Sequence, residues 1–124
     1  MNCYVGESGL VPAPGARIVL KTGEFIDLSP SWTWVLIDEH EDSIDDGSFL
    51  MAPSGKGADL VWHDLPASRH GGAANLTFAD GHVESKRWLD PRTRKPVQGR
   101  KFSYVSSPNN RDCAWLLERT TATP

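Results

Sequence analysis

Six carboxylates fall within the nine positions Asp38-Glu39-His40-Glu41-Asp42-Ser43-Ile44-Asp45-Asp46. A run so dense in one charge repels itself, so it is either solvated or neutralised by a cation. Calcium takes roughly six to eight oxygen ligands, and Asp38, Glu39, Asp42, Asp45 and Asp46 with backbone carbonyls could supply them. The spacing departs from that of an EF-hand loop, which sets acids at alternate positions before a glycine and a Glu beyond it. A solvated acidic loop facing the basic stretch Lys86–Lys101 is the plainer alternative. His40, His63, His70 and His82 form no compact His-x-x-x-His pair and no Cys-x-x-Cys is present, which argues against zinc. Of the four, His82 beside Asp80 is best placed to share a ligand with a carboxylate. Ser68 and His70 have the residue types of a hydrolase, but no Gly-x-Ser-x-Gly elbow accompanies them, and a non-enzymatic role is expected.

The element that organises these residues is a hairpin. Ala73–Ala79 reads as a strand, Asp80-Gly81 as a type I′ turn and His82–Trp88 as the return. A two-residue turn sets Ala79 against His82, Phe78 against Val83, Thr77 against Glu84 and Leu76 against Ser85. Leu76, Phe78 and Val83 are then predicted on the core face, with Asn75, Thr77, Glu84 and Lys86 towards water.

Trp32–Asp38 reads as a central strand, with Trp32, Trp34 and Leu36 on one face and Thr33, Val35 and Ile37 on the other. Arg17–Lys21, Ser48–Ala52 and Phe102–Val105 are further strand candidates, and Leu60-Val61-Trp62 is a short apolar contact. Asn2–Pro14 is expected to be irregular, Pro53–Ala58 a turn, and Thr120–Pro124 a frayed tail. Ser107-Pro108-Asn109-Asn110 offers an N-cap to an amphipathic helix over Arg111–Arg119, anchored by Trp115. Among the tryptophans, Trp32, Trp34 and Trp115 fit core positions, whereas Trp62 and Trp88 lie next to turns and are expected to be partly exposed.

These elements give an α+β chain: an antiparallel sheet of about four to six strands with a β-hairpin at 73–88 and a short C-terminal helix. Its 124 residues suit one domain over 1–124. A net charge of −3 provides no general attraction to nucleic acid or anionic lipid, so nucleic acid is not an expected partner. No apolar run is long enough to span a bilayer and no basic-apolar leader is visible, so the chain itself reads as soluble and without an export signal.

His70, nine residues, then Asp80-Gly81 is a pattern with a family behind it. With Arg69-His70-Gly71-Gly72 before it, Phe78-Ala79-Asp80-Gly81-His82-Val83 closing it and Val35-Leu36-Ile37-Asp38-Glu39 upstream, it resembles the C-terminal signature of H-X9-DG prepilin-type proteins. The resemblance runs from about Asn2 to about Thr121, whereas the family's apolar N-terminal helix has no counterpart in this chain. It implies the globular head of a pseudopilin-like subunit, exported to the periplasm, cell envelope or surface. Its partners would be other pilin-like subunits or components of a type II secretion or type IV pilus-like assembly. In that setting His70, Asp80 and Gly81 define the fold, and His70 is expected to hydrogen-bond a carboxylate such as Asp38 or Glu39. Some secretion pseudopilins hold calcium in a head loop, which adds to the expectation for loop 38–46. An exported parent would also suit a disulfide between Cys3 and Cys113, which could add about 4 kcal/mol by the chain-entropy argument; two unpaired thiols are the equal alternative. The competing functional reading is a soluble cation- or ligand-binding module using the acidic loop.

Overall fold

Ala73–Phe78 carries no charged side chain, and it is the strand that pairs on both edges. In the computed structural model, which describes residues 1–6, 16–25, 28–53 and 55–121, five short strands and one helix are present. They are β1 (Trp34–Ile37), β2 (Val61–Trp62), β3 (Ala73–Phe78), β4 (Val83–Arg87), β5 (Val105–Ser106) and α1 (Arg111–Leu117). One antiparallel sheet has the order β1-β3-β4, and β2 pairs antiparallel with β5 in a second. The class is therefore α+β, with antiparallel sheets and a short C-terminal helix.

The hairpin forms one residue out of the expected register. Thr77 faces Val83, Leu76 faces Glu84 and Asn75 faces Ser85. Of the two turn residues only Gly81 has positive φ, at +92°. Gly81 N–H donates to Phe78 O at 2.9 Å and Phe78 N–H to His82 O at 2.9 Å. That geometry is a three-residue loop closed by a left-handed glycine, not a type I′ turn. A slip of one residue reverses the facing of the whole return strand. Val83 is accordingly 63% exposed instead of in the core, while Leu76 and Phe78 stay buried.

Trp34–Ile37 is likewise not central. It is an edge of the sheet, and a bulge between Trp34 and Leu36 breaks the simple alternation. Leu36 is thereby 51% exposed although Trp34 is fully buried. The other expected strands are shorter than predicted. Ser48–Ala52 is reduced to a parallel bridge between Phe49 and Asn2, and Arg17–Lys21 to one between Val19 and Val5. Phe102–Val105 contributes only its last residue, to β5. In the stretch expected to be irregular, residues 7–15 lie outside the described residues, and Asn2–Gly6 is instead bonded into the fold.

The tryptophans exchange roles. Trp62 and Trp88 are buried, the latter donating from Nε1 to Ala67 O at 2.8 Å. Trp32 is 44% exposed and Trp115 is half-buried. Position next to a turn was a poor guide because β2 and the end of β4 run directly into the core. The core gathers Trp34, Phe49, Met51, Trp62, Leu76 and Leu116 among others, with Trp34 edge-on to Phe49 at 5.6 Å. Helix α1 is anchored by the buried Cys113 and Leu116, with half-buried Trp115 packed against the same core. Thr120 and Thr121, expected to fray, are buried, and Thr120 Oγ1 accepts from Trp34 Nε1 at 3.1 Å. Residues 122–124 of that tail lie outside the described residues. Cys3 and Cys113 are both buried, and no bond joins the two in this structure.

Asn110 caps α1 as its position suggests, its Oδ1 accepting from Asp112 N–H at 2.9 Å and Cys113 N–H at 3.3 Å. Its Nδ2 donates to Ser107 Oγ at 2.9 Å and Thr93 Oγ1 at 3.2 Å. Asp112, 1% exposed, accepts Leu89 N–H at 3.0 Å and Asp90 N–H at 2.8 Å, fastening the exit of β4 to the helix. Removing the Asp112 carboxylate strands two backbone donors, so Asp112→Ala should cost about 3 kcal/mol. Asn110→Ala should cost about 2 kcal/mol, the upper range for a cap. Urea unfolding of both variants at fixed pH checks this, with Asp112→Asn expected to fall between Asp112→Ala and the parent.

Candidate functional site

The acidic loop is a set of backbone caps. Asp42 Oδ2 accepts from Gln98 N–H at 2.7 Å and Oδ1 from Gly99 N–H at 3.0 Å. Asp38 Oδ2 accepts from Asn75 N–H at 3.1 Å, and Asp46 Oδ1 from Ser48 N–H at 2.7 Å. Glu39 Oε1 accepts from Ser43 Oγ at 2.8 Å. No hydrogen bond or ion pair of the Asp45 side chain is present among the described residues. Four carboxylates that share a segment thus serve separate tasks. Among the described residues no group of three or more His, Cys, Asp or Glu side chains is arranged to hold a metal ion.

The loop does lie against the basic segment, though through the backbone more than through charge. His40 is buried; its Nδ1 accepts Asp42 N–H at 3.1 Å and its Nε2 is 2.9 Å from Lys95 O. An acceptor at Nδ1 places the ring proton on Nε2, which donates to the carbonyl. Phe102 N–H donates to Asp42 O at 2.6 Å. Among the described residues no ion pair joins the loop carboxylates to the cations of that segment.

His70 does not do what its motif suggests. It is exposed and makes no hydrogen bond to Asp38 or Glu39. Its neighbour Arg69 takes that place, donating from Nη2 to Glu39 O at 2.9 Å and pairing with Glu41 at 3.1 Å. Gly71 and Gly72, at φ +67° and +86°, turn the chain into β3. Ser68 contributes its backbone carbonyl to Gly72 N–H at 3.2 Å, and no hydroxyl–imidazole contact joins it to His70.

Asp80, His82 and Glu84 form a local ladder at the other end of the hairpin. Asp80 Oδ1 accepts from His82 N–H at 3.1 Å and from the His82 ring at Nδ1, while Nε2 lies 3.3 Å from Glu84. The ring stacks on Phe78 at 4.3 Å. The hydrogen bond to Asp80, then that to Glu84, raises the His82 pKa, and the His82 amide and ring lower that of Asp80. When protonated, the ring donates to both carboxylates and offers no lone pair to a metal.

Sequence reading missed Asp64 and Arg119 and gave no sign of the surroundings of Glu39. Burial pushes the Glu39 carboxyl up to about 7, and the charges of Asp64 and Asp45 act in the same direction. Asp64 is also raised by burial, although Leu50 N–H donates to its Oδ2 at 2.6 Å. Burial raises the Cys3 thiol to about 11 and the Cys113 thiol to about 12, which keeps both protonated and poorly nucleophilic. Arg119 lies between two indoles, 3.8 Å from the Trp32 ring and 4.1 Å from the Trp115 ring. No local pattern signals that stack, because its two tryptophans are far apart in sequence. A groove of about 510 Å³ has apolar walls at Leu28, Leu60, Ala114 and Leu117, with Lys56 and Glu118 as its charged members.

No protein-family model, curated protein or solved structure matches the chain. Among the described residues no helix is long and apolar enough to cross a membrane.

The raised Glu39 pKa has a pH signature. Its folded value of about 7 exceeds the ordinary 4.5, so the folded state favours the protonated acid. The resulting contribution to stability is complete below pH 4.5 and is lost as pH rises through about 7. Glu39→Gln keeps an acceptor for Ser43 and cannot ionise. It should flatten the fall in Tm across that window and melt above the parent beyond neutral pH. Thermal melts of the two proteins at matched pH values make the comparison; coincident slopes would assign the pH dependence elsewhere.

Proposed function

We propose that the chain is a structural, interaction-type protein, the globular head of a pseudopilin-like subunit of a type II secretion or type IV pilus-like assembly. The observation that supports this reading is the work done by Asp80, Gly81 and the two glycines after His70. Gly81 closes the hairpin, Asp80 caps His82, and Gly71-Gly72 lead the chain into the sheet's middle strand. These are architectural tasks, and a head whose job is to present a rigid sheet to neighbouring subunits needs them. The reading frame upstream of the Met1 codon tests the assignment. A continuous frame encoding a short basic leader, a Gly-Phe-type cleavage site and about 20 apolar residues is expected. An in-frame stop immediately upstream in intact genomic DNA would overturn it.

The second reading is a cation-binding module, and the observation favouring it is the negative field around Glu39, where Asp64 and Asp45 add to the effect of burial. A calcium ion held at a hundredfold its Kd would stabilise the fold by about 2.7 kcal/mol. On the architectural reading, melting curves in calcium and in chelator should superimpose, because Asp38, Asp42 and Asp46 already serve backbone donors. A rise of several degrees specific to calcium would favour the cation module instead.

A further inference from the structure

The outer edge of β4 is an unpaired strand whose charge pattern is its own complement. On the inner side, Phe78 N–H to His82 O and Trp88 N–H to Gly72 O, both 2.9 Å, fix the phase of the β3–β4 ladder. Residues 82, 84, 86 and 88 therefore turn their backbone groups towards β3, and Val83, Ser85 and Arg87 turn theirs outward. All three outward residues are exposed, and no backbone partner meets them among the described residues.

We propose that this edge pairs with the same edge of a second copy of the chain, antiparallel and centred on Ser85, across a two-fold axis. In that register Ser85 faces Ser85 of the other copy, Val83 faces Arg87, and Glu84 faces Lys86. Every outward N–H and C=O of β4 gains a partner, and the two three-stranded sheets join into one. The charges select this register. Moving the two-fold axis by one residue in either direction, a register shift of two residues, opposes Glu84 to Glu84 or Lys86 to Lys86, which cross-strand pairing penalises. Charged side chains on an edge ordinarily discourage pairing with an arbitrary strand; here the sequence Val83-Glu84-Ser85-Lys86-Arg87 rejects other strands and accepts itself. Exposed Val83 and Leu36 lie in one cross-strand row with Thr77, and across the junction that row meets Arg87 of the other copy, whose aliphatic stem can cover Val83. The contact is isologous, as a two-fold dimer requires. It is independent of the pilin-like assignment, since it uses only the edge and its charges.

Sedimentation equilibrium of the full chain should show a weak dimer, with a Kd of about 10–500 μM for an interface below the standard size. Glu84→Lys and Lys86→Glu each place like charges opposite at two symmetry-related positions and should each weaken association about tenfold. The double variant Glu84→Lys/Lys86→Glu restores the pairing and should return the Kd to within about threefold of the parent. Amide exchange at Val83, Ser85 and Arg87 should slow with increasing protein concentration, a readout that needs no substitution. A monomer at millimolar concentration would overturn the proposal. So would a dimer indifferent to both single swaps, or one in which these three amides exchange at a concentration-independent rate.

Discussion

Trp34 joins three parts of the chain that are remote in sequence. Its N–H donates to Arg119 O at 3.3 Å, its carbonyl accepts from Asn2 Nδ2 at 2.8 Å, and its Nε1 donates to Thr120 Oγ1 at 3.1 Å. Asn2 Nδ2 also donates to Thr120 O at 2.9 Å. The first residues, the edge of the main sheet and the end of the helix thus meet on one buried indole. The ring packs edge-on to Phe49, so the same residue that collects these hydrogen bonds also fills the core. A buried amide with no substitute partner from water makes each of these contacts obligatory once the indole is enclosed.

A fold with strands of two to six residues leaves many backbone donors outside any ladder, and each buried one needs a partner. Here polar side chains supply them. Asn2, Asp38, Asp42, Asp64, Asn110 and Asp112 all direct side-chain oxygens at backbone N–H groups. That use explains why so acidic a loop is compatible with a folded state. Carboxylates engaged by N–H dipoles have their charge partly offset, while Glu39 and Asp64 are displaced upward by burial and by neighbouring carboxylates. The helix end is treated differently: Arg119 is held between Trp32 and Trp115 and also donates to Trp115 O at 2.8 Å.

The two faces of β4 connect the architecture to the proposed role. Its inner side completes the sheet, while its outer side presents a short, charged, self-complementary edge. Lys86 leans back over Trp115 at 4.9 Å and Glu84 approaches His82 at 3.3 Å, so both charged groups are partly preordered on the face they share. An interaction module needs this combination of a fixed backbone and side chains already positioned.

Local chemistry determined what the sequence could show. The β3–β4 hairpin, the helix beginning after Asn110, the α+β class and the contact between the acidic loop and the segment after Trp88 all follow from residue type and near neighbours. Tertiary structure decided the rest. The register depended on whether Asp80 would join Gly81 at positive φ, and it does not; that single dihedral moved Val83 from core to solvent. The bulge in β1 exposed Leu36 beside a buried Trp34, and the paths of β2 and β4 into the core buried Trp62 and Trp88. The carboxylates of loop 38–46 looked like one site because they are adjacent in sequence. Three-dimensional placement distributed them: Asp38 and Asp42 found backbone donors at Asn75 and Gln98, in segments that no local pattern brings to the loop, while Asp46 caps nearby Ser48.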